Sequence, residues 1–323
     1  MLAQSVRSSL YLLLALALVR FAFAGEPSTD PAKSLGRITF STGKKTPYYR
    51  TYPLNEENRN IKKAVIVIHG LNRTADSYFR YAVESARAEG RLKDTLIVAP
   101  KFQIKADNPD KDEHVWDGGW SQGDDSVDGK KFSAFEAVDE IVEHLTQRGK
   151  FPQLKFIYVA GHSAGGQFVN RYVAGANAAK VTMIFVVMNP SSYMYVDNRR
   201  LSAPGKFTAM ADTYNKYKYG MLDLNPYMRE RAARLKINIF SRPTWYLAGT
   251  NDTGKEDLDE REPAMKQGKN RYDRWSNFRS YVQLFPDWRD NAFFESVPGV
   301  AHSANGMLNS AAARKILFRD KVK

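Results

Sequence analysis

The sequence predicts an α/β architecture: a mostly parallel central sheet with helices on both faces. Two patterns carry this reading. Short apolar runs rich in Val, Ile and aromatic residues alternate with segments whose apolar residues recur at three and four positions. Most of those runs are continuously apolar, as strands buried on both faces must be. No internal repeat, low-complexity tract or long linker interrupts the pattern, so one elaborated domain is expected.

The chain begins with a segment to be set aside. Arg7 precedes an apolar run over residues 10–19 and then Ala22-Phe23-Ala24, the layout of a cleavable export signal over residues 1–24. That run is half of the roughly 20 residues a membrane-crossing helix needs, so no stable membrane anchor is expected. Export to the periplasm or beyond the cell follows, with residues 25–323 as the mature domain.

Alternating residues 37–41 and 48–52, joined through Gly43-Lys44-Lys45, predict an opening hairpin at an antiparallel edge. Residues 64–68, 96–99, 156–160, 183–187, 245–248 and 293–297 read as the remaining strands. Helices are expected over 74–88, 133–147, 167–178, 272–284 and 305–318, each with an apolar stripe. Ser133 and Glu136 form a capping-box pair at the start of the second.

Composition narrows the chemistry. Among 323 residues there is no Cys, which excludes a disulfide scaffold, a thiolate nucleophile and any Cys-ligated metal. The formal charge is +13, and removing residues 1–24 takes away Arg7 and Arg20, leaving +11 on the mature chain. Such a surface favours anionic partners through steering. Nucleic acid is not the expected partner, because the basic residues are scattered and no reading motif is present.

The most informative residues follow the 156–160 strand. Gly161-His162-Ser163-Ala164-Gly165 puts a Ser between glycines at a strand-to-helix junction, where a tight turn can push its hydroxyl beyond the sheet. A Ser hydroxyl needs a base to remove its proton. Of five His, His302 follows the last strand, where a loop could swing the imidazole over the Ser; His114 reads as a loop residue and His144 as a helix-surface one. The imidazole needs an acceptor for its other nitrogen, and Asp252 ends the penultimate strand, with Asp257 and Asp259 as competitors. An oxyanion needs two amide donors: Ala164, after the Ser, and Leu71, in the turn after Ile68-His69-Gly70, with Asn72 as a substitute.

Taken together, His69-Gly70, Gly161-His162-Ser163-Ala164-Gly165, Gly249-Thr250-Asn251-Asp252 and Ala301-His302-Ser303 resemble the α/β-hydrolase superfamily over nearly all of the mature chain. The order Ser, Asp, His agrees with it. Within it the sequence resembles exported bacterial serine esterases and polyester depolymerase-like enzymes. The resemblance implies an α/β-hydrolase fold, with the insertion over about 191–239 in the position of a cap.

Other residues supply the surroundings. The loop 114–125 contains Trp116 and Trp120, expected with His69 and Tyr193 to meet substrate. Asp117, Asp124, Asp125 and Asp128 could bind a hard cation, but their spacing is no EF-hand, and no metal or cofactor is expected. The insertion carries Tyr193, Tyr195, Tyr214, Tyr217 and Tyr219 amid Lys and Arg, a candidate gate or cradle for an anionic substrate. Arg271, Arg274, Trp275 and Arg279 form a basic helix read as a solvated face.

The expected function is hydrolysis of carboxylic esters, small or polymeric, through an acyl-enzyme on Ser163. Two alternatives stand beside it. One gives the same residues an amide substrate, an anionic polyamide such as polyaspartate or a peptide. The other is a hydrolase-fold binding protein without catalysis.

Overall fold

The computed structural model describes residues 25–319; the expected export signal lies outside the described residues. The strands are β1 (Leu35–Thr39), β2 (Lys45–Arg50), β3 (Lys63–Ile68), β4 (Thr95–Pro100), β5 (Phe156–His162), β6 (Thr182–Met188), β7 (Arg199–Ala203), β8 (Lys206–Ala209), β9 (Thr244–Gly249) and β10 (Ala292–Val297). Eight of them form one sheet in the order β1-β2-β4-β3-β5-β6-β9-β10. The β1–β2 and β2–β4 pairs are antiparallel, with Leu35 opposite Tyr49 and Tyr48 opposite Pro100. From β4 to β10 the sheet is parallel.

Strand alternation divides the core between the two faces. Val65, Val67, Ile97, Ala99, Tyr158 and Ala160 pack with Phe79, Ala82 and Val83 of the helix Ala75–Ala88, and with the C-terminal helices. Ile66, Ile68, Val98, Val159 and Val187 face the opposite way, toward the helices Ala134–Leu145, Ala164–Gly175 and Arg271–Val282. Ser133 caps its helix as its spacing predicts: its hydroxyl accepts from the Phe135 amide, while Glu136 accepts from the Ser133 amide at 2.8 Å.

Several elements differ from the sequence expectation. The 305–318 stretch is two helices, Ala304–Leu308 and Ala311–Phe318, because Ser310 caps a new start by accepting from the Ala313 amide. The last strand, β10, is an edge and only partly buried. The segment between β6 and β9 carries an unanticipated hairpin, β7 with β8, and the short helix Leu235–Ser241. No helix among the described residues is long and apolar enough to cross a membrane.

Candidate active site

Ser163, Asp252, His302, Leu71 and Ala164 come together at the carboxyl ends of the parallel strands, where a doubly covered sheet leaves its loops free. Ser163 is the turn between β5 and the helix Ala164–Gly175, with φ of 60° and ψ of −120°. A non-glycine residue there is strained, and the neighbours must hold it. The Ser163 amide donates to the Met188 carbonyl at 3.0 Å, tying the turn to β6. Gly161 lies where a Cβ would stand 2.2 Å from the Gly165 carbonyl oxygen, so glycine is required at that flank.

His302, on the loop after β10, has Nε2 2.9 Å from Ser163 Oγ and Nδ1 2.8 Å from Asp252 Oδ2. Asp252 is 1 % exposed. Its Oδ2 also accepts from Asn189 Nδ2, while Asn189 Oδ1 accepts from the Gly249 amide at 3.3 Å. Asn189 stands at the end of β6 with φ of 46°, a left-handed conformation that Asn tolerates better than most residues. Facing Oδ1 is Arg271 Nη1 at 3.6 Å, and Arg271 is equally buried. The competing carboxylates are elsewhere: Asp259 pairs with Lys218 at 2.7 Å and with Arg261, and exposed Asp257 lines the cleft.

The loop after β3 carries Leu71. His69, fully buried, accepts from the Phe102 amide on Nε2 at 3.1 Å, so Nδ1 bears the proton and donates to the Gly70 carbonyl at 2.9 Å. Burial pushes this imidazole down to about 3, so it stays neutral. Arg73 clamps the same loop, donating through Nη1 to the Phe102 and Trp116 carbonyls, each at 2.6 Å. The amide of Ala164 is the first of its helix, with no intrahelical carbonyl four residues back, and Ala164 lines the cleft that Leu71 also lines. His162 is buried with its ring 4.6 Å from that of His302. Burial first, then His302 and Arg271, holds it well below the usual imidazole range.

No protein-family model and no curated protein matches the sequence. Among solved structures, a poly(3-hydroxybutyrate) depolymerase from Bordetella parapertussis superposes with a TM-score of 0.62 at 20% identity, covering 91% of this chain and 90% of its own. Poly(aspartic acid) hydrolase-1 from Sphingomonas sp. KT-1 superposes at 0.63 and 24% identity, over 88% and 98% of the two chains. The chain has the α/β-hydrolase fold.

In this α/β-hydrolase fold the cleft has two hollows that meet at Ser163. One, of about 690 Å³, is lined by Ala164, Gln167, Ser191, Lys218, Asp259 and Arg261 among others. The second, of about 480 Å³, is lined by Tyr78, Tyr81, His162, Glu256 and His302 among others. Leu71, 54% exposed, and Asp257 border both.

Several sequence expectations are corrected here. Trp116 is buried, its indole donating to the Phe132 carbonyl at 3.1 Å. Trp120 stacks on Phe102 at 5.3 Å and lies 4.5 Å from the His69 ring. Tyr193 is buried and stacked on Phe278 at 4.3 Å. These three, with buried His69, line neither of the two hollows and stand behind their walls. The insertion tyrosines are likewise structural, with Tyr217 donating to the Gln122 carbonyl and Tyr219 to Asp259. Arg271, Arg274 and Trp275 are buried, so that helix face is no solvated surface. His114 is a buried strut between Asp128 and Thr42, at 3.0 and 2.7 Å. Among the described residues no group of three His, Asp or Glu is arranged to hold a metal ion. Sequence reasoning missed Asn189 and Arg271, and the only signal for the first was an Asn-Pro pair closing a strand.

Proposed function

We propose that this chain is a serine hydrolase that cleaves carboxylic ester bonds through an acyl-enzyme. The carrying observation is the unbroken run of hydrogen bonds from Ser163 Oγ through His302 to Asp252. As Oγ attacks the carbonyl carbon, His302 Nε2 takes its proton, and Asp252 steadies the resulting imidazolium. The negative charge on the former carbonyl oxygen is held by the Leu71 and Ala164 amides. His302 returns the proton to the leaving oxygen, and a water molecule repeats the sequence to release the acid. The reaction calls for no metal or cofactor.

The proton donor must reach the leaving atom, so the alcohol part occupies the His302 hollow and the acyl part the Ala164 hollow. The substrate is a small ester or a polymer. The amide reading, with polyaspartate as an example, draws support from Lys218 and Arg261 on the acyl-side wall and from the +11 charge of residues 25–323. Asp257, Asp259 and Glu260 on that wall weigh against it. A binding role without catalysis is disfavoured because Ser163 lines the open cleft. Export by the segment 1–24 belongs to the same proposal.

The test is purified mature protein with a short-chain p-nitrophenyl ester, followed by mass spectrometry after a fluorophosphonate. Turnover and an adduct on Ser163, both absent in Ser163→Ala, are expected. Absence of both in the wild type would overturn the proposal, and faster turnover of polyaspartate than of any ester would favour the second reading.

A further inference from the structure

Asp252 is nearly devoid of solvent, and its two oxygens are used unequally. Oδ2 accepts from His302 and from Asn189, whereas Oδ1 has no hydrogen-bond partner among the described residues and faces Arg271 Nη1 at 3.6 Å. Arg271 is held from its other side, Nη2 donating to the Glu256 carbonyl at 2.7 Å. The next residue of the same helix, Tyr272, donates its amide to the Asp252 carbonyl at 3.2 Å. The helix start therefore grips the Asp252 loop at three points. Two isolated buried charges would each be costly, and here each compensates the other.

Resting on the serine hydrolase reading, we propose that Arg271 is a positioning residue, holding Asp252 against His302 and sharing the Asp252 charge with the imidazolium formed when His302 accepts the Ser163 proton. The argument is electrostatic. When His302 gains its proton, the single negative charge of Asp252 is shared between the imidazolium and the guanidinium. The fixed cation thus competes with the imidazolium for the Asp252 charge, and removing it changes that balance. The other ionisable groups lining the hollow beside His302 are His162, Tyr78, Tyr81, Glu256 and Asp257. Of these, Glu256 and Asp257 are exposed carboxylates at the mouth and carry the opposite sign, while buried His162 and Tyr78 are neutral. Arg271 is the cation that faces Asp252 Oδ1, whereas buried Arg274 is turned to the Ser191, Gly268 and Asp259 carbonyls.

The test compares pH profiles of kcat/KM on a neutral p-nitrophenyl ester for wild type, Arg271→Met and Arg271→Lys. In the Met variant the acid limb is expected to move up by about one pH unit, within the range that one close charge produces. In the Lys variant the limb returns toward the wild-type position, while kcat stays reduced because the hold on the Glu256 carbonyl is weakened. If the Met variant does not fold, Arg271→Gln, which keeps a donor for that carbonyl, carries the same readout. An acid limb unmoved in the neutral variants, with only thermal stability lowered, overturns the proposal and leaves a structural ion pair. A wild type that labels at Ser163 separates that failure from failure of the hydrolase reading; a wild type with neither label nor turnover overturns both.

Discussion

Gly165 lies so close beneath β3 that a Cβ placed on it would stand 2.3 Å from the Ile68 carbonyl oxygen and 2.6 Å from that of His69. Both obstacles are backbone, in the two residues leading into the loop that carries Leu71, so neither can rotate away. Gly165→Ala is expected to cost about 3 kcal/mol in urea unfolding and to displace Leu71 relative to Ser163, with loss of turnover. A variant of wild-type stability and activity would count against this packing.

Asn189 joins Asp252 to the end of β9. Asn189→Ala removes a hydrogen bond to a carboxylate, a contribution of about 1.5–3 kcal/mol, equivalent to roughly 10- to 100-fold in turnover if it acts through Asp252. The loss should appear in kcat with KM little changed. Steady-state kinetics on one ester checks this, and a change confined to KM would contradict it.

Asp139, on the helix Ala134–Leu145, accepts from Tyr172 and Tyr227 hydroxyls at 2.8 and 2.7 Å and from the Asn177 amide at 2.9 Å. Asp139→Ala leaves the buried Tyr172 hydroxyl and the Asn177 amide without this acceptor, while the Tyr227 hydroxyl keeps the Gly175 carbonyl at 3.0 Å, at an expected cost of about 2 kcal/mol. Denaturation midpoints should fall while the rate of fluorophosphonate labelling at Ser163 holds.

The buried imidazoles set an acid limit on stability. Burial takes His69 down to about 3, whereas in the unfolded chain it titrates near 6.5. Between those values the unfolded state binds a proton that the folded state does not, so this stability is complete above about pH 6.5 and is lost as pH falls. His162 acts with the same sign. Urea midpoints should fall from pH 7 to pH 5, and less steeply in His69→Gln. A flat profile would mean that these imidazoles are not held neutral.

The strands and the Ser163 turn were legible because their causes are local: unbroken apolar runs for the first, glycines beside a Ser for the second. Even the capping of the Ala134–Leu145 helix follows from four adjacent residues. What escaped was decided at long range. Trp116, Trp120 and Tyr193 look like pocket residues in isolation, and whether an aromatic ring lines a cleft or backs it depends on which other rings reach it, Phe102 and Phe278 here. Arg271 reads as one cation on a basic helix until the fold brings Asp252, 19 positions earlier, against it. The β7–β8 hairpin has polar strands without clean alternation, and its register comes from pairing alone.

The two hollows that meet at Ser163 bear on how a long substrate would be cut. Exposed Asn72 and Thr74 border one hollow, and exposed Glu260 and Arg261 the other. A chain can therefore cross the nucleophile with both of its ends in solvent, without first presenting a terminus. Scission would then fall at interior bonds, so the mean length of a soluble polymer would collapse well before monomers accumulate.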